Sequence, residues 1–466
     1  MKAALALFIA VVTGLPTANA APAQPPDAPR TETHITSEVL QSDIDWDALA
    51  IQWQRDAAKA WPRLWDGALS PLVVILTDQS NNARLITKEE THAISVRDLI
   101  EHPLPLPGDG LSYGHWDANP AVVIDPTVPR PDIDSLFDLV VHEAFHMHVQ
   151  FNPNYRWPAV MKPRLEVSFK YPMQVDPRLY RRMLHSSLLD AYVDVGNRPE
   201  HLAAAAWWQN VWATNFPEEL ARTNSRDVLE GTAMYAGILG EAMSKIDNPD
   251  SLQERRAYFA NSLKPLAGCR QTGDEHYDIG GVAGLLLDDM RVDWMKRAEA
   301  GETPVEIVLD GIASSSGEQA PEHIRGTIAA CVEKLASEAA PLVNKSLANM
   351  RDPLSPILEL PYGLGGAGNH FKVVTDTYRA DGIAYSFFGI RDGVFATRAG
   401  TVAATQTALF SGADGFLFSL GPADFDVVGR QLTLHGASLS GSLIVDTVHD
   451  SDGRVRYRAA GTHQAR

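Results

Sequence analysis

A pair of histidines four positions apart, with a glutamate directly after the first, constrains this chain more than any other feature. Residues 139–148 read LVVHEAFHMH, so the pair is His142 and His146 and the glutamate is Glu143. Residues four apart project from one face of a helix, so both imidazoles can reach a single ion. Zinc suits neutral imidazole and an open coordination position, and Glu143 can address a water on that ion. We therefore expect a helix that holds zinc.

The neighbouring residues favour this interpretation over a helix with coincidental histidines. The five-residue pattern alone arises by chance in unrelated chains. Here the residues just before His142 are uncharged, and the two residues between Glu143 and His146 are alanine and phenylalanine. Residues 131–134 (PDID) supply a proline and candidate N-caps, so a capped helix is expected to begin shortly before the histidines.

The third metal ligand must come from another part of the chain. His148 lies about 240° around a helix from His142 and about 200° from His146, so we expect it to be solvent-facing or locally hydrogen-bonded. The metzincin pattern requires glycine and then histidine where this chain has Val149 and Asn152. A carboxylate from a later helix is the remaining common solution.

Two glutamates are candidates for that carboxylate. Glu230 lies in residues 229–235 (LEGTAMY), whose small side chains allow two helices to approach closely. Glu166 lies nearer in sequence to His146, but two prolines crowd its segment and no small-residue packing surface accompanies it. We favour Glu230 and keep Glu166 as the alternative.

Over roughly residues 120–300 the chain resembles the gluzincin group of zinc metallopeptidases. His142, Glu143 and His146 match the first motif of that group, and residues 230–233 (EGTA) are similar to the helix that supplies the third ligand in aminopeptidase N-like members. The resemblance implies a zincin-like domain in which His142, His146 and Glu230 hold zinc. It also implies hydrolysis of peptide bonds, with Glu143 as general base and then general acid.

The chain departs from this group in the interval between His146 and Glu230, which is far longer than in thermolysin or aminopeptidase N. An inserted helical hairpin would account for the extra residues. Such an insertion is tolerable because the cost of closing a loop rises only slowly with its length.

A tyrosine at the start of a later predicted helix extends the resemblance. Residues 275–281 (EHYDIGG) are similar to the Y-x-x-G segment of aminopeptidase N-like enzymes. In those enzymes the tyrosine hydroxyl stabilises the oxyanion, and the resemblance implies the same role for Tyr277. A purely structural tyrosine is the alternative, with His276 or Tyr235 as substitute donors.

Hydrophobic patterns divide the chain into regions of different secondary structure. Residues 72–76 and 121–124 are β-branched runs typical of buried strands. Helical spacing dominates between about residues 130 and 345. The helices expected there span 177–195, 198–212, 225–244, 280–298 and 323–343.

After Pro353 the pattern changes to short alternating runs separated by turn residues, which predicts a small all-β domain such as a sandwich. The chain is therefore expected to be α+β. A zincin-like domain would cover residues 41–350, mostly helical after a small mixed sheet. A β-rich accessory domain would cover residues 354–466.

The N-terminus predicts export from the cytoplasm. Lys2 precedes an apolar run over residues 3–12, and the Ala-Asn-Ala sequence at 18–20 is a small-x-small cleavage site. Residues 1–20 are therefore typical of a signal peptide. Residues 21–40 include a proline-rich stretch and are expected to form a disordered leader. We expect a secreted or periplasmic protein.

The net charge of the chain limits the classes of binding partner, and its cysteines indicate a disulfide. A net charge of −18 argues against nucleic acid or an anionic membrane as the main partner, because both demand a basic surface. No segment after the signal peptide is apolar enough to cross a membrane. In an exported protein, Cys269 and Cys331 are more typical of a disulfide than of free thiols.

Three function classes follow from these features. The leading class is zinc-dependent hydrolysis of a peptide or protein substrate. A second class is zinc-dependent hydrolysis of another amide, such as a cell-wall peptide. The third is a non-catalytic binding protein stabilised by zinc, which Glu143 disfavours because a structural zinc has no use for a general base.

Overall fold

The computed structural model describes residues 44–78, 82–101, 111–127, 136–151, 157, 173–263, 275–361, 370–372, 378–380, 383–397, 399–411, 415–450 and 453–460. The predicted signal peptide and leader (1–40), Glu166 and Cys269 lie outside these residues. Cys331 is buried on the last long helix and its thiol is not free, while its predicted bond to Cys269 stays a prediction.

A five-stranded sheet forms the N-terminal part of the protein, in the order β3-β2-β1-β5-β4. Its strands are β1 (Val73–Thr77), β2 (Ala83–Ile86), β3 (Thr91–Ile94), β4 (Leu111–Trp116) and β5 (Asn119–Ile124). β1 and β5 are parallel and the other pairs are antiparallel. The predicted strands at 72–76 and 121–124 are therefore the central strand β1 and the interior strand β5 beside it.

Helices cover both faces of this sheet, which explains why β1 is buried along its whole length. On one face, Val74 and Leu76 join the main hydrophobic core with residues of α1 (Trp46–Ala60). On the other face, Val73 and Ile75 pack with Leu99 of α2 (Val96–Glu101).

The rest of the first domain is helical. Its remaining helices are α3 (Leu136–Phe145), α4 (Val175–Val193), α5 (Arg198–Asn215), α6 (Pro217–Lys245), α7 (Leu252–Ser262), α8 (Glu275–Asp289), α9 (Met295–Glu299), α10 (Pro304–Val308) and α11 (Glu322–Arg351). α6 is central, because α1, α3 and α8 all pack against it. α4 and α5 pack against each other across a short 3-10 turn and form the predicted hairpin between His146 and Glu230.

Several helix boundaries differ from the expectation, including the end of α11, which lies at Arg351 and not at 343. α6 begins eight residues earlier than predicted, at Pro217, where a proline in the first turn and Glu218 and Glu219 are helix-start signals. The helix expected over 280–298 instead begins at Glu275 and ends at Asp289, and Arg291 has a left-handed φ of 55° that a continuous helix does not allow.

Strands form the C-terminal domain, as expected. They are β6 (Ile357–Pro361), β7 (His370–Lys372), β8 (Tyr378–Ala380), β9 (Ile383–Thr397), β10 (Gly400–Ser411), β11 (Gly415–Ser419), β12 (Phe425–Val428), β13 (Gln431–His435), β14 (Leu439–His449) and β15 (Val455–Ala459). The expected sandwich is wrong. β6, β11, β10, β14 and β15 are hydrogen-bonded in a closed ring within one sheet, because β14 pairs with both β10 and β15.

The described residues contain a small N-terminal sheet, a helical region and a C-terminal β domain, which confirms the mixed composition expected from the sequence. Within these residues, no helix combines the length and the apolar character that a membrane span requires.

Candidate metal centre

The two histidines of the sequence pattern lie on one buried helical segment. α3 carries His142 and Glu143 and continues into a π-helical turn, His146–Gln150. Both imidazoles are almost fully buried, and their ring centroids lie 4.7 Å apart. The spacing of four residues therefore places both rings on the same side of the helix.

Glu230 of α6 reaches the same point from a second helix. Its Oε2 lies 3.1 Å from Nε2 of His146 and 3.6 Å from Nε2 of His142, and the two Nε2 atoms lie 3.1 Å apart. Among the described residues, only these three side chains bring their ligand atoms together closely enough to hold a metal ion. The alternative ligand Glu166 lies outside the described residues.

These separations fit zinc. Ligand atoms about 2.0–2.1 Å from a tetrahedral zinc ion lie about 3.3 Å from one another, which matches the three distances above. Two imidazoles and one carboxylate are also a donor set of catalytic zinc sites, which leave the fourth position open. The residues present therefore suit the metal that the sequence predicts.

The electrostatics of the three side chains are strongly coupled. Burial acts to raise the pKa of Glu230, but the charge of His146 and hydrogen bonds from His142 and His146 outweigh it, so the pKa lies well below the usual value. Burial acts to lower the pKa of His146, but the charge and the hydrogen bond of Glu230 outweigh it and raise that pKa. The two opposite shifts arise from the same short contact between Glu230 and His146.

Glu143 lies buried beside the ligands with an incomplete environment. Its side chain is 4% exposed, and its Oε1 has no hydrogen-bond partner among the described residues. A buried polar group without a partner costs about 1–3 kcal/mol. Such a carboxylate oxygen is suited to receive a proton from a water or a substrate that enters the site.

Glycines allow the helices of the site to approach one another. A Cβ on Gly231 would lie 2.8 Å from the Cα of Gly280, so α6 and α8 touch backbone to backbone directly after Glu230. Farther along α6, a Cβ on Gly240 would lie 3.3 Å from the side chain of Val141 on α3. Gly231 therefore allows the close contact between α6 and α8, and Gly240 allows the contact between α6 and α3.

Tyr277 lies at the first turn of α8 and faces the histidines. Its ring centroid is 5.8 Å from that of His142, and it is only partly buried. His276 is buried next to it, with ring centroids 4.3 Å apart. Tyr235 is held elsewhere, because its hydroxyl donates to Asp288 at 2.7 Å. Of the candidate oxyanion donors, Tyr277 is therefore the one whose ring lies beside the candidate metal ligand His142.

His148 does not belong to the group of side chains that could hold a metal, as expected. The residue is half-buried, and its Nε2 has no hydrogen-bond partner among the described residues. Burial, together with the nearby His115 of the edge strand β4, lowers the pKa of His148. His148 is therefore a neutral side chain beside the edge strand.

An ionic cluster that the sequence analysis missed joins α4 of the hairpin to α6 and α8. We call it the α4 cluster, and its members are Arg178, Arg181, Glu219, Asp227 and Glu275, all buried. Arg178 donates to Glu219 and, at 2.7 Å, to Glu275. Arg181 donates to both oxygens of Asp227 at 2.6 and 2.8 Å. Asp227 lies one turn before Glu230, and Glu275 lies two residues before Tyr277.

Gln150 was also missed. Its Oε1 lies 2.6 Å from Nδ1 of His146, and its amide nitrogen bonds to α6. The available signal was a glutamine four positions after His146, and therefore on the same helical face. For the α4 cluster the signal was weaker, because arginines at helical spacing are usually solvent-exposed.

Comparison with protein-family models finds no matching family, and comparisons with curated proteins and with solved structures find no match. The function of this chain is therefore inferred from its own residues and their geometry.

Proposed function

We propose that this protein is a zinc-dependent hydrolase that cleaves peptide bonds and that its first domain is a zincin-like metallopeptidase domain. One observation carries the proposal: three buried ligand atoms converge within 3.6 Å of one another beside a buried glutamate oxygen that has no hydrogen-bond partner among the described residues. A purely structural zinc site would gain nothing from the buried Glu143. Burial of Glu143 without a hydrogen-bond partner for Oε1 destabilises the fold, and a role of Glu143 in the reaction would explain why that cost is tolerated.

His142, His146 and Glu230 would hold the metal. Zinc, when bound, supplies Lewis acidity, which polarises a carbonyl group and makes a water molecule more acidic. With two neutral imidazoles and one carboxylate as its ligands, a bound zinc ion would keep a net positive charge. That charge would stabilise a developing oxyanion.

Glu143 would move the proton. Its free Oε1 accepts a proton from the attacking water and returns it to the leaving amine nitrogen, so that the peptide bond breaks into a carboxylic acid and an amine. The burial of Glu143 keeps this exchange away from bulk water. Tyr277, partly exposed and directed toward His142, would donate its hydroxyl to the oxyanion.

The compartment is part of the proposal. Residues 1–20 would be removed as a signal peptide, so the mature enzyme would act in the periplasm or outside the cell. Its substrate would be a peptide or protein present there.

The decisive experiment compares zinc content and peptidase activity across matched variants. Wild type should carry about one zinc per chain, and His146→Ala and Glu230→Ala should lose it, because each removes one of three ligands. Glu143→Gln should keep zinc but lose about 10²–10⁴-fold in kcat on a peptide library, because the amide cannot accept the proton. Tyr277→Phe should keep zinc and lose about 10²-fold in kcat.

Glu218→Gln is the control, because Glu218 is an exposed glutamate on the same helix as Glu230. It should change neither zinc content nor activity. Wild-type protein without zinc in metal-replete buffer would overturn the whole proposal. A Glu143→Gln variant with both zinc and full activity would overturn the catalytic part alone.

A further inference from the structure

Gln150 connects the two helices that carry the metal ligands. It closes the π-helical turn that begins at His146, and its Oε1 lies 2.6 Å from Nδ1 of His146. Its Nε2 donates to the backbone oxygen of Leu229 at 2.7 Å and to Oγ1 of Thr232 at 2.8 Å. Leu229 and Thr232 flank Glu230 on α6. The side chain is 2% exposed, so water does not compete for these bonds.

These contacts determine which way the amide points. The backbone oxygen of Leu229 can only accept a hydrogen bond, so the group facing it must be the NH₂ of Gln150. The hydroxyl of Thr232 uses its hydrogen on the backbone oxygen of Val228 at 2.7 Å, so toward Gln150 it also accepts. The amide oxygen of Gln150 must therefore face His146.

The orientation of the amide in turn determines the tautomer of His146. An amide oxygen accepts and cannot donate, so Nδ1 of His146 must carry the hydrogen of their bond. Metal binding removes the other ring hydrogen, the one on Nε2 that faces Glu230, and the lone pair is then on Nε2. Nε2 is the nitrogen that lies 3.1 Å from Glu230 and from His142. Each group thus donates to the next, from His146 to Gln150, then to Thr232 and finally to the backbone oxygen of Val228, and Nε2 of His146 is left to bind a metal.

We propose that Gln150 is a positioning residue that fixes the metal-binding tautomer of His146 and joins α3 to α6, so that His146 and Glu230 keep the separation a shared ion requires. This inference rests on the proposed metal function. Gln150 does not touch the metal or the substrate. It acts through His146 on one side and through the Leu229–Thr232 turn on the other.

The first measurement is the zinc dissociation constant, obtained by competition with a chromogenic chelator. Gln150→Leu, which keeps the approximate side-chain volume, should raise the constant about 10–100-fold, as expected when a group that orients a metal-binding histidine is removed. Thr232→Val, which removes only the hydroxyl, should raise it about fivefold. In the Gln150→Leu background, Thr232→Val should have no further effect, because the hydroxyl then has no amide to hold.

Thr223→Val is the matched control. Thr223 is also buried on α6, and its hydroxyl donates to the oxygen of Glu219 at 3.0 Å, as that of Thr232 does to Val228, without contacting Gln150. Thr223→Val should leave the zinc dissociation constant unchanged. It should lower the melting temperature of the metal-free protein as much as Thr232→Val does. That contrast separates positioning of the metal site from general stability.

Gln150→Glu separates the two roles of the amide. Its carboxylate can still accept from His146, but it cannot donate to Leu229 or Thr232. The zinc constant should lie between those of wild type and Gln150→Leu, and the visible absorption of the cobalt-substituted protein should shift because the ligand geometry relaxes. This variant is informative even if Gln150→Leu fails to fold.

Two failures are distinguishable. Wild-type protein that binds no zinc overturns the proposed function. Wild-type protein that binds zinc, together with Gln150→Leu and Gln150→Glu constants within twofold of it, overturns the positioning role and leaves the proposed function intact. A Thr223→Val change equal to that of Thr232→Val would also overturn the positioning role.

Discussion

The two ends of α8 both bury carboxylates against arginines of other helices, but only one end lies beside the metal centre. At the first end, Glu275 accepts from Arg178 of α4, and Tyr277 follows two residues later. At the last end, Asp289 accepts from Arg198 and Arg256. The same type of interaction thus occurs in two different settings on one helix.

The two ends differ in how far the arginines are removed from water. Arg178 has a side-chain exposure of 3%, whereas Arg198 and Arg256 at the other end have exposures of 13% and 38%. Removing both charges of an ion pair from water costs several kcal/mol per ion, and their attraction offsets this only with good geometry. Fully buried pairs are therefore weak evidence for stability. Their presence beside the metal centre indicates that this end of α8 is held for position.

The largest expected effect comes from removing the arginine that is paired at the first, fully buried end of α8. Arg178→Met leaves two buried carboxylates, Glu219 and Glu275, without their guanidinium group. We expect the free energy of unfolding to fall by about 3–5 kcal/mol. The zinc dissociation constant should rise as well, because α4 no longer holds the helices that carry Glu230 and Tyr277.

Urea unfolding of the metal-free protein and chelator competition measure the two quantities separately. If Arg178→Met destabilises the protein without any change in the zinc constant, the α4 cluster serves stability alone. The contrast between the two ends of α8 would then disappear.

A smaller effect is expected at the exposed end. Arg256→Met removes one partner of Asp289 but leaves Arg198, whose Nη2 lies 2.6 Å from Oδ2 of Asp289. We expect a loss of about 1 kcal/mol in the free energy of unfolding, because Arg256 is itself partly exposed and Arg198 keeps the buried carboxylate paired. The zinc dissociation constant should equal that of wild type. An increase beyond threefold would show that the far end of α8 is also coupled to the metal centre.

The smallest effect is a pH dependence at the far end. Burial acts to raise the pKa of Asp289, but hydrogen bonds from Arg256 and Arg198 outweigh it and lower that pKa below 3.8. A carboxyl whose pKa is lowered on folding stabilises the protein above its unfolded value and loses this contribution as the pH falls through the folded value. The stability difference between wild type and Asp289→Asn should therefore narrow as the pH falls below about 4.

The neighbouring residue is the control for this measurement. Burial is the main influence on Asp288 and raises its pKa above 3.8, despite the hydrogen bond from Tyr235. A carboxyl with a raised pKa favours folding below its unfolded value and loses this contribution as the pH rises through the folded value. Wild type should therefore lose stability relative to Asp288→Asn as the pH rises from about 4. Unfolding curves with the same trend for both variants would contradict these assignments.

Several parts of the molecule could be predicted from short stretches of sequence. The pairing of His142 with His146 depends on one helical turn, and the strands at 72–76 and 121–124 depend on local β-branched runs. The start of α6 was also predictable from Pro217 and the acidic residues after it, although this signal was overlooked. Glu230 was chosen from the small residues that follow it and from the resemblance, and the structure brings its Oε2 to 3.1 Å from Nε2 of His146.

Other parts depend on contacts between residues far apart in the chain. The closed ring of the C-terminal sheet arises because β14 pairs with both β10 and β15, which no strand-length pattern specifies. The same holds for Arg178, whose partner Glu275 lies 97 positions away. Its burial could not be predicted, because an arginine on a helix is usually solvent-exposed.

The sequence by itself determined the local elements and the two histidines on one helical face, because helical periodicity acts within a few residues. Only the tertiary structure decided that Gln150 bonds to Thr232, that α6 and α8 touch at Gly231 and Gly280, and that the oxygen of Glu143 stays free among the described residues. These features arise when separate helices pack. The free energy of packing depends on which surfaces meet, and that information is spread over the whole chain.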